Sequence, residues 1–362
     1  MKKLYHVLCS IMTYAHTKYT YWSHTKYIKK LMSSCDYLKE LTSEQKGQIQ
    51  DYYKLHYGKR LPDYYWHQYY YTQHGIFSPK YVPNYIVEEI NGKLFNKHIT
   101  TTFDDKNLYY TIFPDVRQPR AYLNCINGYY YINGRPITKD DAIESLFNLG
   151  KAVIKPTFCS QNGNNVKYIE LIDGVDSRSG QTLSVLFEQY GKNFVIQEAI
   201  RQHPALSALC PSSVNTMRVV TYRRGNDIVL IYAVMRMGKV GSEVDNTSAG
   251  GMACKILTNG RLNAFATCPK PAARFDHSET GVVFDGYEIP YFGDVFEQAK
   301  KMHLRLPYFV MVGWDFTIND QNEVVFIEMN TPFGLHQPAA GPGYGEYTDE
   351  IFDLCFCKKI LK

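Results

Sequence analysis

Asp315, Glu328 and Asn330 fall within "GWDFTINDQNEVVFIEMN", residues 313–330. Apolar, β-forming runs at 309–312 and 324–327 flank the acids, and the turn-rich "NDQN" separates them, so the stretch predicts a hairpin with both acids inside its strands. A turn centred between Gln321 and Asn322 sets Asp315 directly opposite Glu328. Opposed side chains share a face at Cβ separations of roughly 5 Å, where like charges repel unless something positive lies between them. Asn330, two residues beyond Glu328, projects from the same face. Two carboxylates and an amide oxygen converging there make a hard-oxygen set suited to Mg²⁺ and poor for zinc. The competing reading is a solvated hairpin face whose charges repel only weakly. On the repulsion argument, Glu328→Gln should leave the unliganded fold unchanged or slightly more stable.

Four cations stand at positions where they could meet an anion. Lys155 is the last polar residue of the apolar strand "AVIKP", ahead of a polar loop containing Gly163, and a lysine with backbone N–H groups beside it suits phosphate oxygens. The loop has neither the "GxxxxGK[ST]" of a phosphate-binding P-loop nor a Rossmann fingerprint. Taken alone, a strand-end lysine is a snorkelling surface residue. Lys106 lies in "FDDKNLYY", and Arg218 and Arg236 sit on successive strands, where the simple role of an arginine is pairing with carboxylates on an exposed face. "VDNTSAGG", with Asp245, Asn246, Gly250 and Gly251, is by itself a polar turn.

The elements that must hold these residues follow from periodicity. Residues 1–75 are helical and rich in tyrosine, ending in "LPDYYWHQYYYTQHG", a packed aromatic layer or a sugar platform. "TKDDAIESLFNLG" predicts a helix capped by Thr138 and Asp141, with Ile143, Leu146 and Phe147 as its apolar stripe and Gly150 as its stop. A strand, a loop, a second strand, the helix "SGQTLSVLFEQYG" and the strand "NFVIQEAI" follow. Beyond Pro211 long strands dominate, with turns at Gly225 and at Asn259 and Gly260, and a helix near 291–305 precedes the hairpin. The chain therefore reads as α+β with a largely antiparallel C-terminal sheet. The divisions expected are 1–75, 76–205 and 206–362.

Composition narrows the class. The 362 residues suffice for a substantial core, and no run of about 18 uncharged apolar residues predicts a membrane span. Nine cysteines, odd in number and without a CxxC pair, suit a reducing cytoplasm better than a disulfide scaffold or zinc site. The start reads as an amphipathic helix and not a signal peptide. The formal charge of +5 is unevenly spread: residues 1–35 hold six lysines and no acid, with Tyr19, Tyr21, Trp22 and Tyr27 among them. Such a segment either touches an anionic membrane surface at the inner face, or a polyanion, or is a solubilising helix. No nucleic-acid motif accompanies it.

The order Lys106, "VIKP", "IQEAI", Arg218, Arg236, then Asp315 with Glu328 thirteen positions on and Asn330 two further, resembles the ATP-grasp superfamily over residues 100–345. The wording of "SVNTMRVVTY", "VDNTSAGG" and "FIEMN" is most similar to its sugar-transfer-associated branch. The resemblance implies an ATP-grasp fold, two α+β subdomains gripping ATP. It puts Lys106 and Lys155 on phosphates, the Gly163 loop over them, and Gln197, Glu198, Ala199 and Ile200 in a hinge against adenine. Asp315, Glu328 and Asn330 would hold Mg²⁺, and the Asp245 turn would lie near the acceptor. Many ligases of the superfamily carry an arginine two residues before the first of these acids. Here that position is Gly313, and Arg218 or Arg236 would supply the charge as the catalytic cation. The implied activity is carboxylate–amine ligation through an acyl phosphate, in surface-polysaccharide assembly, on small-molecule or glycan carboxylates and amines. A kinase acting on a hydroxyl and a non-catalytic polysaccharide-binding module are the alternatives.

Overall fold

The computed structural model describes residues 2–158, 165–247, 250–270 and 272–357. In chain order it begins with helices α1 (Lys2–Met32), α2 (Ser43–His56), α3 (Tyr65–His74), α4 (Asn84–Leu94) and α5 (Lys97–Phe103), a 3₁₀ turn at Lys106–Leu108, and α6 (Tyr109–Ile112). There follow β1 (Ala121–Ile126), β2 (Tyr129–Ile132), β3 (Arg135–Ile137), α7 (Lys139–Ser145), β4 (Gly150–Pro156), β5 (Lys167–Ile172), β6 (Val175–Asp176), α8 (Leu183–Tyr190), β7 (Phe194–Glu198) and α9 (Pro204–Leu209). The rest comprises β8 (Thr216–Arg224), β9 (Asp227–Met237), β10 (Met252–Ile256), β11 (Leu262–Pro269), β12 (Ala272–Phe275), α10 (Phe292–Leu304), β13 (Met311–Ile318), β14 (Val324–Asn330), α11 (Gln337–Ala340) and α12 (Thr348–Phe356). The fold is the α+β one expected from the sequence.

Two compact units result. One holds residues 1–94, 267–274 and 334–362; the other holds 95–266 and 275–333. In the first, the tyrosine-rich stretch is core: Trp66, Tyr69, Tyr70 and Tyr81 are buried in one cluster with Ile28 and Leu31 of α1, and Tyr53 is buried as well. Tyr53 donates to the Tyr81 carbonyl at 2.6 Å and Tyr70 to Asn84 at 2.9 Å, so the buried hydroxyls keep acceptors. Burial pushes the His67 imidazole down to about 4, which keeps it neutral inside this layer. Among the described residues no helix is long and apolar enough to cross a membrane.

In the second unit the first sheet runs β3-β2-β1-β7-β4-β5-β6. Its pairings are antiparallel, and on one face Ile154, Ile169, Phe194 and Ile196 join Leu146 and the α8 residues Leu186 and Phe187 in a core. Alternation then turns Val153, Lys155, Val195 and Gln197 to the other face. Thr138 and Asp141 form the predicted capping box of α7. The helix is shorter than predicted, however: Gly150 does not stop it but opens β4 with φ +76°, and Phe147, 44 % exposed, packs over Gly174 and not in an apolar stripe.

The second sheet supplies the antiparallel ladder β10-β9-β8-β13-β14. Trp314, Phe316, Val219 and Phe326 are buried on it, as are Val295, Ala299 and Met302 of α10. Trp314 Nε1 donates to Thr221 Oγ1 at 2.8 Å. Asp315, one residue on from Trp314, projects from the opposite face.

Candidate functional site

The hairpin carries the acids as its sequence predicts. Asp315 pairs with Glu328, Trp314 with Met329 and Gly313 with Asn330. Nearer the turn the register differs: Phe316 pairs with Phe326 and Ile318 with Val324, so a bulge at Ile327 takes up one residue. Asn319 closes the turn by accepting from the Gln321 and Glu323 N–H groups at 3.1 and 2.8 Å, and Asn322 adopts φ +67°. The bulge is what puts Glu328 back opposite Asp315.

Arginine is the charge that lies beside the first acid. β8 pairs with β13 so that Arg218 faces Asp315 across the strands. Its Nε donates to Asp315 Oδ1 and its Nη2 to Oδ2 at 2.8 Å, a bidentate pair with both side chains almost fully buried. Arg236 on β9 reaches the same carboxylate through Nη1 at 3.0 Å and donates through Nη2 to Asp245 at 2.8 Å. Asp245 in turn accepts from the Thr216 hydroxyl, and from its N–H at 3.1 Å. Burial opposes the Arg218 charge, but Asp315 outweighs it and holds the guanidinium above its usual value. Burial raises the Asp245 carboxyl, with Arg236 and Thr216 opposing.

Gly313 has a steric cause. A Cβ there would stand 3.3 Å from Phe333 Cβ and Cγ and 3.4 Å from Arg218 Cδ. The stem of Arg218 fills the space that a side chain at 313 would need, and its guanidinium meets Asp315 from the neighbouring strand.

The lysines line one cavity with Asp315, Glu328 and Arg236. Lys106 is set by a 3₁₀ turn whose N-cap Asp105 accepts from the Asn107 N–H, while the Lys106 N–H donates to Thr157 at 3.2 Å. Its ammonium meets Glu328 at 3.3 Å. Lys155 is 7 % exposed, and among the described residues its ammonium has neither an ion-pair nor a hydrogen-bond partner. Burial, with Lys106 adding to it and Glu328 opposing, lowers it to about 8. The wall of this cavity includes Lys106, Lys155, Gln197, Glu198, Ile200, Arg236, Asp245, Asn246, Asp315 and Glu328. Arg218, Ala199 and Asn330 are not in it, and Gly163 lies outside the described residues.

Glu198, expected in the hinge, is clasped by its carboxylate. Arg117 Nη2 donates to both its oxygens, at 3.0 and 2.9 Å, and the Arg120 N–H to one at 3.0 Å. Arg117 Nε also reaches Glu323 of the β13–β14 turn at 3.2 Å. Beyond Ile200, the His203 N–H donates to the Ile318 carbonyl and the Asp320 N–H to the Arg201 carbonyl, each at 2.8 Å. Arg117 and Thr216 escaped the sequence reading. Thr216 was signalled only by standing two residues before Arg218 on the same face, and Arg117, in the irregular "FPDVRQPR", by nothing.

The donor set suits a hard divalent cation. Asn330 Nδ2 donates to Asp315 Oδ2 at 3.4 Å, which leaves the Asn330 amide oxygen and Glu328 Oε1 without a donor among the described residues. Among the described residues no group of three or more His, Cys, Asp or Glu side chains is arranged for a metal, and the Asn330 amide is the further oxygen beside the two acids.

Comparison with known proteins follows the same residues. A family model, sugar-transfer associated ATP-grasp, matches residues 86–346. No curated protein matches the chain in sequence. Among solved structures it is similar to the ATP-grasp ligase PsnB in complex with a precursor peptide and AMPPNP (11% identity, 72% of this chain and 62% of that one, TM-score 0.41). It is also similar to D-alanyl-alanine synthetase A from Vibrio cholerae (11% identity, 71% and 64%, TM-score 0.40) and to an L-amino acid ligase from Bacillus licheniformis (11% identity, 64% and 41%, TM-score 0.33). The chain spans less than two thirds of the length of each of these. With most of its length, including every candidate residue of the cavity, inside the matched region, the chain belongs to the sugar-transfer associated ATP-grasp family.

Proposed function

We propose that the protein is an ATP- and Mg²⁺-dependent carboxylate–amine ligase that works through an acyl phosphate in surface-polysaccharide assembly. The observation that carries this reading is Lys155: a buried ammonium with no ion-pair or hydrogen-bond partner among the described residues, in the wall of a cavity it shares with Lys106, Glu328 and Asp315. An anion of high charge density is the natural occupant, and family membership makes it the phosphates of ATP. The glycan assignment rests on the sugar-transfer association of the family alone.

Lys155 and Lys106 would bind the phosphates, Lys106 exchanging its contact with Glu328 for them. Residues 197–200 would orient the adenine, with Glu198 held still by Arg117. Asp315, Glu328 and Asn330 would hold Mg²⁺, which when bound neutralises charge on the terminal phosphates. Arg236 faces the cavity and is held by single hydrogen bonds to two carboxylates, so it can turn to the transferred phosphoryl group; Arg218, bidentate and outside the wall, positions Asp315. The acceptor carboxylate oxygen attacks the γ-phosphorus, ADP departs, the amine attacks the acyl carbon, and phosphate leaves. No side-chain nucleophile is required. Free cysteines throughout the described chain support a reducing compartment such as the cytoplasm.

Acceptor labelled with ¹⁸O in its carboxylate should deliver one labelled oxygen to the released phosphate, in step with amide formation. Unlabelled phosphate with amide product overturns the acyl-phosphate route. Phosphoryl group retained on the acceptor as a phosphoester makes the protein a kinase, and no turnover of ATP makes it a binding module.

A further inference from the structure

Helix α1 presents one outward face. On a helical projection at 100° per residue, Lys18, Lys29, Trp22, Lys26, Tyr19 and Lys30 fall within one arc of about 120°, and all six are exposed. Tyr19 is 65% and Trp22 58% exposed, with ring centroids 6.2 Å apart. The Lys26 ammonium lies 5.5 Å from the centre of the Trp22 ring. The inward face is fixed to its own unit. Ile28 and Leu31 are buried, Tyr21 donates to Asp63 at 2.6 Å, and His24 meets Glu88 at 2.8 Å. The first acid in the chain is Asp36.

We infer that this face of α1 binds a membrane surface carrying anionic headgroups. Four lysines bracket two large amphipathic rings on a helix already held rigid from behind, so the charge is presented without an ordering cost for the backbone. Tyrosine and tryptophan rings of this kind partition at the level of the headgroups, where the apolar body and polar tip are both satisfied. The Tyr19 and Trp22 rings are tilted by 36° to each other and present no single flat platform for a sugar to stack on, which is why a lipid surface fits the face better than a soluble glycan. The inference stands on unit-one residues alone and does not rest on the ligase reading.

Each lysine near an anionic surface contributes on the order of a fivefold change in partitioning. The test uses the full chain with vesicles of phosphatidylglycerol and phosphatidylcholine, against pure phosphatidylcholine. Binding should occur on the anionic vesicles only and fall as salt is raised. The Lys18/Lys26/Lys29/Lys30→Gln variant should bind at least ~100-fold more weakly. Trp66 and Trp314 are buried, so an emission blue shift on vesicle addition reports Trp22 and should vanish in Trp22→Phe. Because every substituted side chain is exposed, far-UV dichroism should be unchanged in both variants. No partitioning of the wild type, or equal partitioning of the quadruple variant, overturns the inference. So does lysine-dependent binding to a soluble polyuronate with the vesicles left unbound, which would make the face a glycan site.

Discussion

Lys155 holds a charge that no partner side chain among the described residues neutralises, and the consequence has a definite sign. Its folded pKa, lowered to about 8, lies below its unfolded value of 10.5, so between these limits the unfolded chain binds more protons and stability rises with pH. Below pH 8 the full penalty is present, up to about 3 kcal/mol at ~1.4 kcal/mol per unit. Lys155→Met should therefore raise the unliganded stability at pH 7 by up to ~3 kcal/mol in denaturant titrations while abolishing ATP binding. A variant that is destabilised, or that binds ATP normally, would show that the ammonium does not face an anion site. Arg218 has the opposite character: its removal takes the bidentate partner from the buried Asp315 carboxylate, and Arg218→Met should cost about 3–5 kcal/mol. Loss of less than ~1 kcal/mol in urea unfolding would mean Asp315 finds another partner. The residue types and their order were legible in the sequence, but the pairing was not. Repulsion between Asp315 and Glu328 was the expected difficulty; in the structure Arg218 and Arg236 lie on Asp315 and Lys106 on Glu328, each brought there by tertiary contact from elements far off in sequence. Glu328→Gln consequently removes an attractive contact and is not expected to raise stability.

At the scale of elements, period-two alternation carried most of the information. It gave the hairpin, the face shared by Asp315, Glu328 and Asn330, and the long strands β8 and β9 with their turn at Gly225. It could not give the bulge at Ile327, because an extra residue in one strand leaves no mark on composition. Nor did it give the end of α7, since a glycine with positive φ serves equally as a helix stop or a strand opening. Gly313 shows the same limit from the packing side. As a sequence feature it is a missing side chain; as part of β13 it is the gap into which Arg218 and Phe333 pack. Gly313→Ala must push one of them by a few tenths of an ångström, so overpacking should cost ~1–3 kcal/mol, read as a lower denaturation midpoint with an unchanged m-value. An unaltered midpoint would mean that β8 and the residues after β14 have slack here, and that Arg218 is not held by steric fit.

For the molecule as a whole, the tyrosine-rich N-terminal stretch has become the core of a helical unit that also includes residues 334–362, a long-range association that local periodicity does not announce. The unit is therefore stabilised by buried phenols, and this makes it sensitive to alkali. Burial raises the Tyr53 and Tyr70 phenols well above their ordinary value near 10, with neighbouring tyrosines adding to the shift. Tyr52 is raised as well, by burial and then by its hydrogen bond to Asp349, accepted at 2.9 Å. A group whose protonated form is favoured in the fold contributes fully while both states are protonated, and its contribution falls away as the unfolded chain begins to ionise. Stability should thus be flat with respect to these groups below pH 10 and decline above it. Tyr53 and Tyr70 together give a slope of roughly 3 kcal/mol per pH unit. Against a domain stability of about 5–15 kcal/mol, that slope unfolds the helical unit within a few pH units above 10. The expected signature is a cooperative step in tyrosinate absorbance coincident with the loss of helical dichroism, at a pH that moves upward when a single buried phenol is removed as in Tyr70→Phe. Tyrosinate absorbance that rises smoothly while the helical signal persists would show that the buried hydroxyls ionise in place, and that the aromatic layer is open to water.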